Sequence, residues 1–154
     1  MPNTFSQIHI QVIFAVKHRE ALIDESWRQE LFEYTAGILK NKDQKPLIIG
    51  GVADHIHIFF GYNNLVMPIP DLVREIKKAT NAWVKEKQFT QHNFAWQEGY
   101  GAFSYSRSQV DSVYQYVLNQ EEHHKKQTFR EEYLLFLKKF DVPYDERYLF
   151  DFFD

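Results

Sequence analysis

The chain has 154 residues, 44% of them apolar and 25% charged, which is enough for one domain with a hydrophobic core and excludes extensive disorder. It contains no cysteine, so disulfides, thiolate catalysis and sulfur-ligated metals are excluded; any metal must rest on imidazole, carboxylate, amide or water. The formal net charge of -3 argues against a long basic phosphate track, though a local cluster of Lys and Arg around a short strand stays compatible with it.

Ile8, Ile10, Val12, Phe14 and Val16 alternate with His9, Gln11, Ile13 and Ala15, which predicts a strand over 8–16. In DESWRQELFEYTAGILKN the period becomes helical, with Trp27, Leu31, Tyr34 and Ile38 on one stripe and Asp24 placed to cap the first turn. Asn41 to Pro46 is a polar break. PLIIGGV and DHIHIFF predict two neighbouring strands joined by a tight connection near Gly50 and Gly51. On the second of them Ile56, Ile58 and Phe60 share one face, and His55, His57 and Phe59 share the other. Pro68 and Pro70 introduce a helix whose buried stripe is Leu72, Val73, Ile76, Ala79, Thr80, Trp83 and Val84, with Lys77, Lys78, Lys85 and Lys87 mostly toward water.

FAWQ and YGAFSY, divided by Glu98 and Gly99, read either as one hairpin or as two short terminal strands. The order strand, helix, strand, strand, helix, strand is that of a split βαβ unit, so the expected fold is α+β and ferredoxin-like: an antiparallel sheet with helices on one face. After Ser106 a further helix begins, with Val110, Val113 and Val117 toward the body and Tyr114 as a further candidate there. Thr128 and Glu131 form a capping box for a last helix, REEYLLFLKKF, and Pro143 lies past its end. The closing PYDERYLFDFFD is aromatic and acidic without a period. No repeat or linker divides the chain, so residues 1–154 are expected to form a single domain. The start MPNTFSQIHIQVIF lacks the layout of a signal peptide, and no run approaches the roughly 18 apolar residues of a membrane span, so a cytoplasmic protein is expected.

Two pairs of residues carry chemistry. His55 and His57 put two imidazoles on one face of a rigid strand; with 7 histidines in the chain, composition alone yields roughly 0.3 such pairs, and the pair by itself reads equally as a polar sheet face. Tyr116 and Gln120 lie four apart on the helix after the last strand, one turn from each other. Alone, such a pair is a common helical accident. Tyr114 is a rival nucleophile, but it points elsewhere and has Leu118 four residues on.

DHIHIFF, WQEGYGAFSYS, VYQYVLNQEEHH and TFREEYLLFLKKFDVPYDERYLF, in that order and spacing, resemble the IS200/IS605-type transposases, the small tyrosine transposases of the His-hydrophobic-His superfamily. The resemblance covers nearly the whole chain. It implies that His55 and His57, around Ile56, bind a divalent ion, that Tyr116 is the nucleophile, and that Gln120 is the third ligand. It further implies a ferredoxin-like sheet whose tyrosine lies on C-terminal helices, and a homodimer in which the tyrosine helix of one subunit can complete the site of the other. The activity implied is cleavage and rejoining of single-stranded DNA with subterminal hairpins through a 5'-phosphotyrosine, with Mg or Mn as the ion.

Around these four residues the candidates for DNA contact are less defined. His9 is either beside His57 across the sheet or an ordinary exposed strand histidine. His123 and His124 are either phosphate contacts or, with Lys125 and Lys126, a solvated helix end. Arg74, Lys77, Lys78 and Arg107 are candidate backbone contacts on the same footing. Trp96 and Tyr100 either stack on a base or fill a corner, with packing the preferred reading, and Asp54 and Glu98 are candidate outer-shell or DNA-reading groups to which no chemical role is assigned.

Overall fold

The computed structural model describes residues 3–153. The strands are β1 (His9–Ala15), β2 (Lys45–Gly51), β3 (His55–Gly61) and β4 (Gly101–Tyr105), in the order β2-β3-β1-β4 with every neighbour antiparallel. The helices are α1 (Glu25–Asn41), α2 (Ile69–Lys87), α3 (Val110–Leu118), α4 (Gln120–His123) and α5 (Phe129–Lys139). This is the expected ferredoxin-like α+β arrangement, with α3 to α5 appended to it.

The period-two alternation decides what each sheet face carries. Val12, Phe14, Ile56 and Ile58 point to one side, where α2 meets them: Trp96 packs edge-on against Phe14 at 4.7 Å and donates from Nε1 to Thr80 Oγ1 at 2.8 Å. Gln11, Ile13, His55, His57 and Phe59 point to the other side. All seven residues of β3 are buried, which requires cover on both faces. On the histidine side that cover is α3, lying over β2, together with α5, whose Glu132 reaches the histidines.

Local signals explain the element ends. Asp24 caps α1 by accepting from the Ser26 amide at 3.0 Å, and Thr128 and Glu131 form the anticipated capping box of α5. Gly51 ends β2 at φ +155, just before the three-residue connection to β3, and a β-carbon there would strike the His55 carbonyl. Gly50 allows α3 to approach the sheet closely. A β-carbon there would stand 2.5 Å from the Val117 carbonyl oxygen.

Three expectations need correction. FAWQ forms no hairpin with β4; Trp96 instead bridges to Val16, just past the end of β1, while β4 pairs with β1 itself, the two pairings being separated by a bulge in which Gly99 takes φ +84. Lys77 does not face water. Its ammonium donates to the Gln97 and Gly99 carbonyls at 2.8 and 2.7 Å, satisfying the bulge that the strand interruption leaves. Tyr114 is 38% exposed and does not join the body side of α3, where Val113 and Val117 are buried and Val110 is partly buried against the core. No helix among the described residues is long and apolar enough to cross a membrane.

Candidate active site

His55 and His57 occupy the central part of the sheet with no solvent exposure, and each has its Nδ1 tied. His55 Nδ1 lies 2.7 Å from Asp54 Oδ1, and His57 Nδ1 lies 2.6 Å from Gln11 Oε1. The Gln11 amide donates its other end to the Tyr105 hydroxyl at 2.7 Å, which fixes its orientation. A third imidazole joins from the end of α4: His124 Nδ1 lies 2.8 Å from the Gln127 carbonyl. Because these partners are acceptors, all three Nδ1 atoms carry a hydrogen, and each ring in its neutral form turns an Nε2 lone pair inward.

What they face is another acceptor. Glu132 Oε1 lies 3.1 Å from His55 Nε2, 3.2 Å from His57 Nε2 and 3.1 Å from His124 Nε2. Gln120 Oε1 is 3.2 Å from His55 Nε2, while its Nε2 donates to Glu132 Oε2 at 3.0 Å. Acceptors converging in a buried space repel one another unless a cation lies among them. His55, His57 and Glu132 form a group whose ligand atoms all lie within 4.8 Å of one another. Neutral imidazole with carboxylate and amide oxygen is a donor set suited to a divalent ion, and separations near 3 Å are those of neighbouring ligands about one ion, roughly 2.1 Å from it. The residues present therefore fit a metal.

Without a metal the cation is a proton. Burial opposes protonation of His55, but the hydrogen bonds and charges of Asp54 and Glu132 outweigh it and push its pKa up to about 9. His57 goes the other way, because burial exceeds the pull of Glu132 and no second carboxylate reaches it. Burial alone would raise the Glu132 pKa; the charge of His57 and the hydrogen bonds of His124, His55 and His57 instead hold it far below the usual carboxylate range. The Phe129 ring lies flat on His55 at 3.8 Å and shuts that side of the cluster.

Tyr116 reaches this group from α3, its hydroxyl making a short hydrogen bond to Glu132 Oε2. Burial and then the negative charge of Glu132 raise its pKa well above that of an ordinary phenol. The helical phase that the sequence assigns to Tyr116 and Gln120 holds only in part: α3 ends at Leu118, and Gln120 opens α4 after a break at Asn119. The two side chains still converge, through Glu132. A cavity of about 530 Å³, lined in part by Tyr105, Gln109, Ser112 and Lys139, opens onto Tyr116 and Glu132.

The other candidates separate. His9 is not beside His57: it pairs with Gly61 and Tyr105, and Gln11, two residues on, is the residue that reaches His57. His9, Lys45 and Tyr105 occupy one row across the sheet, with Arg107 just beyond. Burial and then the charges of Arg107 and Lys45 lower the His9 pKa, so a neutral imidazole lies between two cations on the histidine side. Arg74, Lys77 and Lys78 lie on α2, across the sheet from the site. Arg74 pairs with Asp71 at 2.9 Å and Lys77 holds the bulge. His124 is part of the buried cluster, and His123 stacks on Tyr116 at 4.5 Å with its Nε2 buried and without a hydrogen-bond partner; neither belongs to a solvated helix end. Trp96 is packing, as expected. Asp54 orients His55.

Sequence reasoning does not find Glu132. The signal is present: Phe129, Glu132, Tyr133, Phe136, Leu137 and Phe140 follow helical spacing, so a carboxylate stands inside an otherwise apolar stripe.

The family model described as Transposase IS200 like matches residues 4–120. No curated protein matches the chain. Among solved structures, a protein described as a transposase from Deinococcus radiodurans R1 is 20% identical, with a TM-score of 0.57 over 77% of this chain and 94% of that one. A REP-associated tyrosine transposase bound to a REP hairpin is 12% identical, with a TM-score of 0.59 over 79% of this chain and 72% of that one. At these identities the two structures speak for the fold, and the family match, which spans more than half of the residues, speaks for descent: the chain belongs to the IS200-like transposase family.

Proposed function

We propose that this transposase cuts and rejoins single-stranded DNA with Tyr116 as nucleophile and a divalent ion, Mg or Mn, held by His55, His57 and Gln120. The observation that carries the reading is the meeting of the Tyr116 hydroxyl, the Gln120 amide and two Nδ1-anchored histidines, from three separate elements, at one carboxylate. When bound, the ion polarises the scissile phosphate and stabilises the charge that builds on it. Asp54 and Gln11 keep the imidazole lone pairs aimed inward. Tyr116 stays protonated near neutral pH, so it loses its proton as its oxygen bonds to phosphorus. Attack in line with the departing 3'-oxygen breaks its bond to phosphorus, and that oxygen takes up one proton for the one the phenol gives up, leaving a free 3'-hydroxyl and a 5'-phosphotyrosine; attack on that ester by another 3'-hydroxyl returns the proton to the tyrosine oxygen and rejoins strands without ATP.

The substrate we propose is a single strand carrying a hairpin, as the likeness to a hairpin-bound tyrosine transposase supports. His9, Lys45 and Arg107 are its proposed phosphate contacts. Tyr116 and the histidines meet within one chain, the geometry of a site completed in cis, while the family resemblance offers exchange of the tyrosine helix in a homodimer as the other arrangement. Mixing Tyr116→Phe with His57→Ala tests this: recovered cleavage establishes exchange, and none supports cis.

The chemistry is tested with labelled single-stranded hairpin oligonucleotides bearing randomised flanks, incubated with Mn²⁺ and resolved by denaturing gel and mass spectrometry. The expected product is a covalent adduct on Tyr116 that requires the ion and vanishes in Tyr116→Phe. An adduct that persists in that variant, or cleavage that leaves a free 5'-phosphate and no adduct, overturns the reading.

A further inference from the structure

We infer that Glu132 is a ligand of the ion and at the same time the residue that positions Tyr116, so that one carboxylate joins the metal site to the nucleophile. The inference rests on the proposed metal chemistry but adds a residue from α5, which lies beyond the segment 4–120 that the family model matches.

Glu132 is 2% exposed within an otherwise apolar helix stripe. A carboxylate is taken out of water at this cost only where strong partners compensate. Its two oxygens divide the task. Oε1 faces the three imidazole Nε2 atoms, and Oε2 accepts from the Tyr116 hydroxyl and the Gln120 amide. His55, His57 and Gln120 supply no negative charge to a divalent ion. Glu132 adds one, and it does so through hard oxygen, the donor that Mg and Mn prefer. With Oε1 toward the ion, Oε2 keeps the Tyr116 oxygen beside it, where the phosphate must lie to be attacked. A carboxylate that merely paired with protonated histidines would add nothing to metal affinity.

The test follows free Mn²⁺ by its electron paramagnetic resonance signal during titration of full-length wild type, His57→Ala, Glu132→Gln and Glu132→Asp. Tyr116 is followed in parallel by NMR of protein labelled at tyrosine Cζ, its resonance identified by its loss in Tyr116→Phe. Glu132→Gln is expected to bind Mn²⁺ at least tenfold more weakly than wild type, with the Tyr116 resonance shifted and the circular dichroism unchanged. Glu132→Asp is expected to recover part of the affinity. If His57→Ala loses Mn²⁺ while Glu132→Gln binds as wild type does, Glu132 is no ligand and the proposed function stands without it. If Mn²⁺ binding falls in Glu132→Gln but the Tyr116 resonance does not move, the positioning role is overturned. If wild type binds no Mn²⁺, the metal reading and this inference fall together. Should Glu132→Gln lose its fold, Glu132→Asp carries the comparison, and affinity and resonance equal to wild type in that variant overturn the inference.

Discussion

The Val117 carbonyl oxygen stands 2.5 Å from where a β-carbon on Gly50 would be, so backbone rests on backbone where α3 crosses β2. The neighbour of Val117 is Tyr116. A glycine in the sheet thereby sets how deeply the proposed nucleophile sits.

Gly50→Ala is expected to lift α3 and carry the Tyr116 hydroxyl away from Glu132. Forcing a methyl group into such a contact costs about 1–3 kcal/mol, which for a chain of this size lowers Tm by roughly 2–4 °C per kcal/mol. Adduct formation should fall by more than the loss of folded protein explains. Thermal denaturation and the adduct assay on the same preparation check both; a stability loss with the adduct rate per folded molecule intact would show that α3 does not set the position of Tyr116.

The metal-free chain should lose stability as pH rises. His55 goes from 6.5 to about 9 on folding, so the folded state binds the extra proton; its contribution is complete below pH 6.5 and disappears as pH rises toward 9. His57, with a lowered pKa, titrates below that window. The expected result is a Tm of chelator-treated protein that falls between pH 6.5 and pH 9. Since the ion and the proton compete for His55, Mg²⁺ should raise Tm more at the upper end of this range than at the lower. A Tm gain from Mg²⁺ that does not vary with pH would contradict this competition.

Asp54→Asn removes the charge that anchors the outer nitrogen of His55 while leaving an oxygen that can still accept from it. Substitution of such a partner typically weakens metal binding by about 10–100-fold. The Mn²⁺ titration should show a drop in that range, and the decline of metal-free stability with rising pH should be shallower than in wild type. Unchanged Mn²⁺ affinity would mean that Asp54 does not orient His55 for the ion.

These residues differ in how far the sequence alone exposes them, and the reasons are physical. Alternation places His55 and His57 on one face, and periodicity yields the element order, because both depend on neighbours in the chain. Register does not. His9 and Gln11 share a face, and only strand pairing, with Gln11 opposite Phe59 and Ile13 opposite His57, decides that Gln11 reaches the site. Lys77 has the spacing of a surface lysine; its partners belong to a bulge 20 and 22 residues away. Glu132 is legible as a charge in an apolar stripe, but what it meets depends on how α5 docks.

The two sets of basic residues, on opposite sides of the sheet, should respond differently to substitution. Arg107→Ala removes a charge from the cluster on the histidine side, so it should weaken binding of a hairpin oligonucleotide and reduce the slope of log affinity against log salt by about 1. Lys77→Met removes two hydrogen bonds to the Gln97 and Gly99 carbonyls, on the opposite side of the sheet from the site, at a cost of about 1–3 kcal/mol in folding stability, with affinity and salt slope as in wild type. Fluorescence anisotropy across a salt series, paired with urea unfolding, measures both quantities. Arg107→Ala with an unaltered slope would remove the row of His9, Lys45 and Arg107 as the DNA-facing edge, and a reduced slope in Lys77→Met would place DNA on α2 instead.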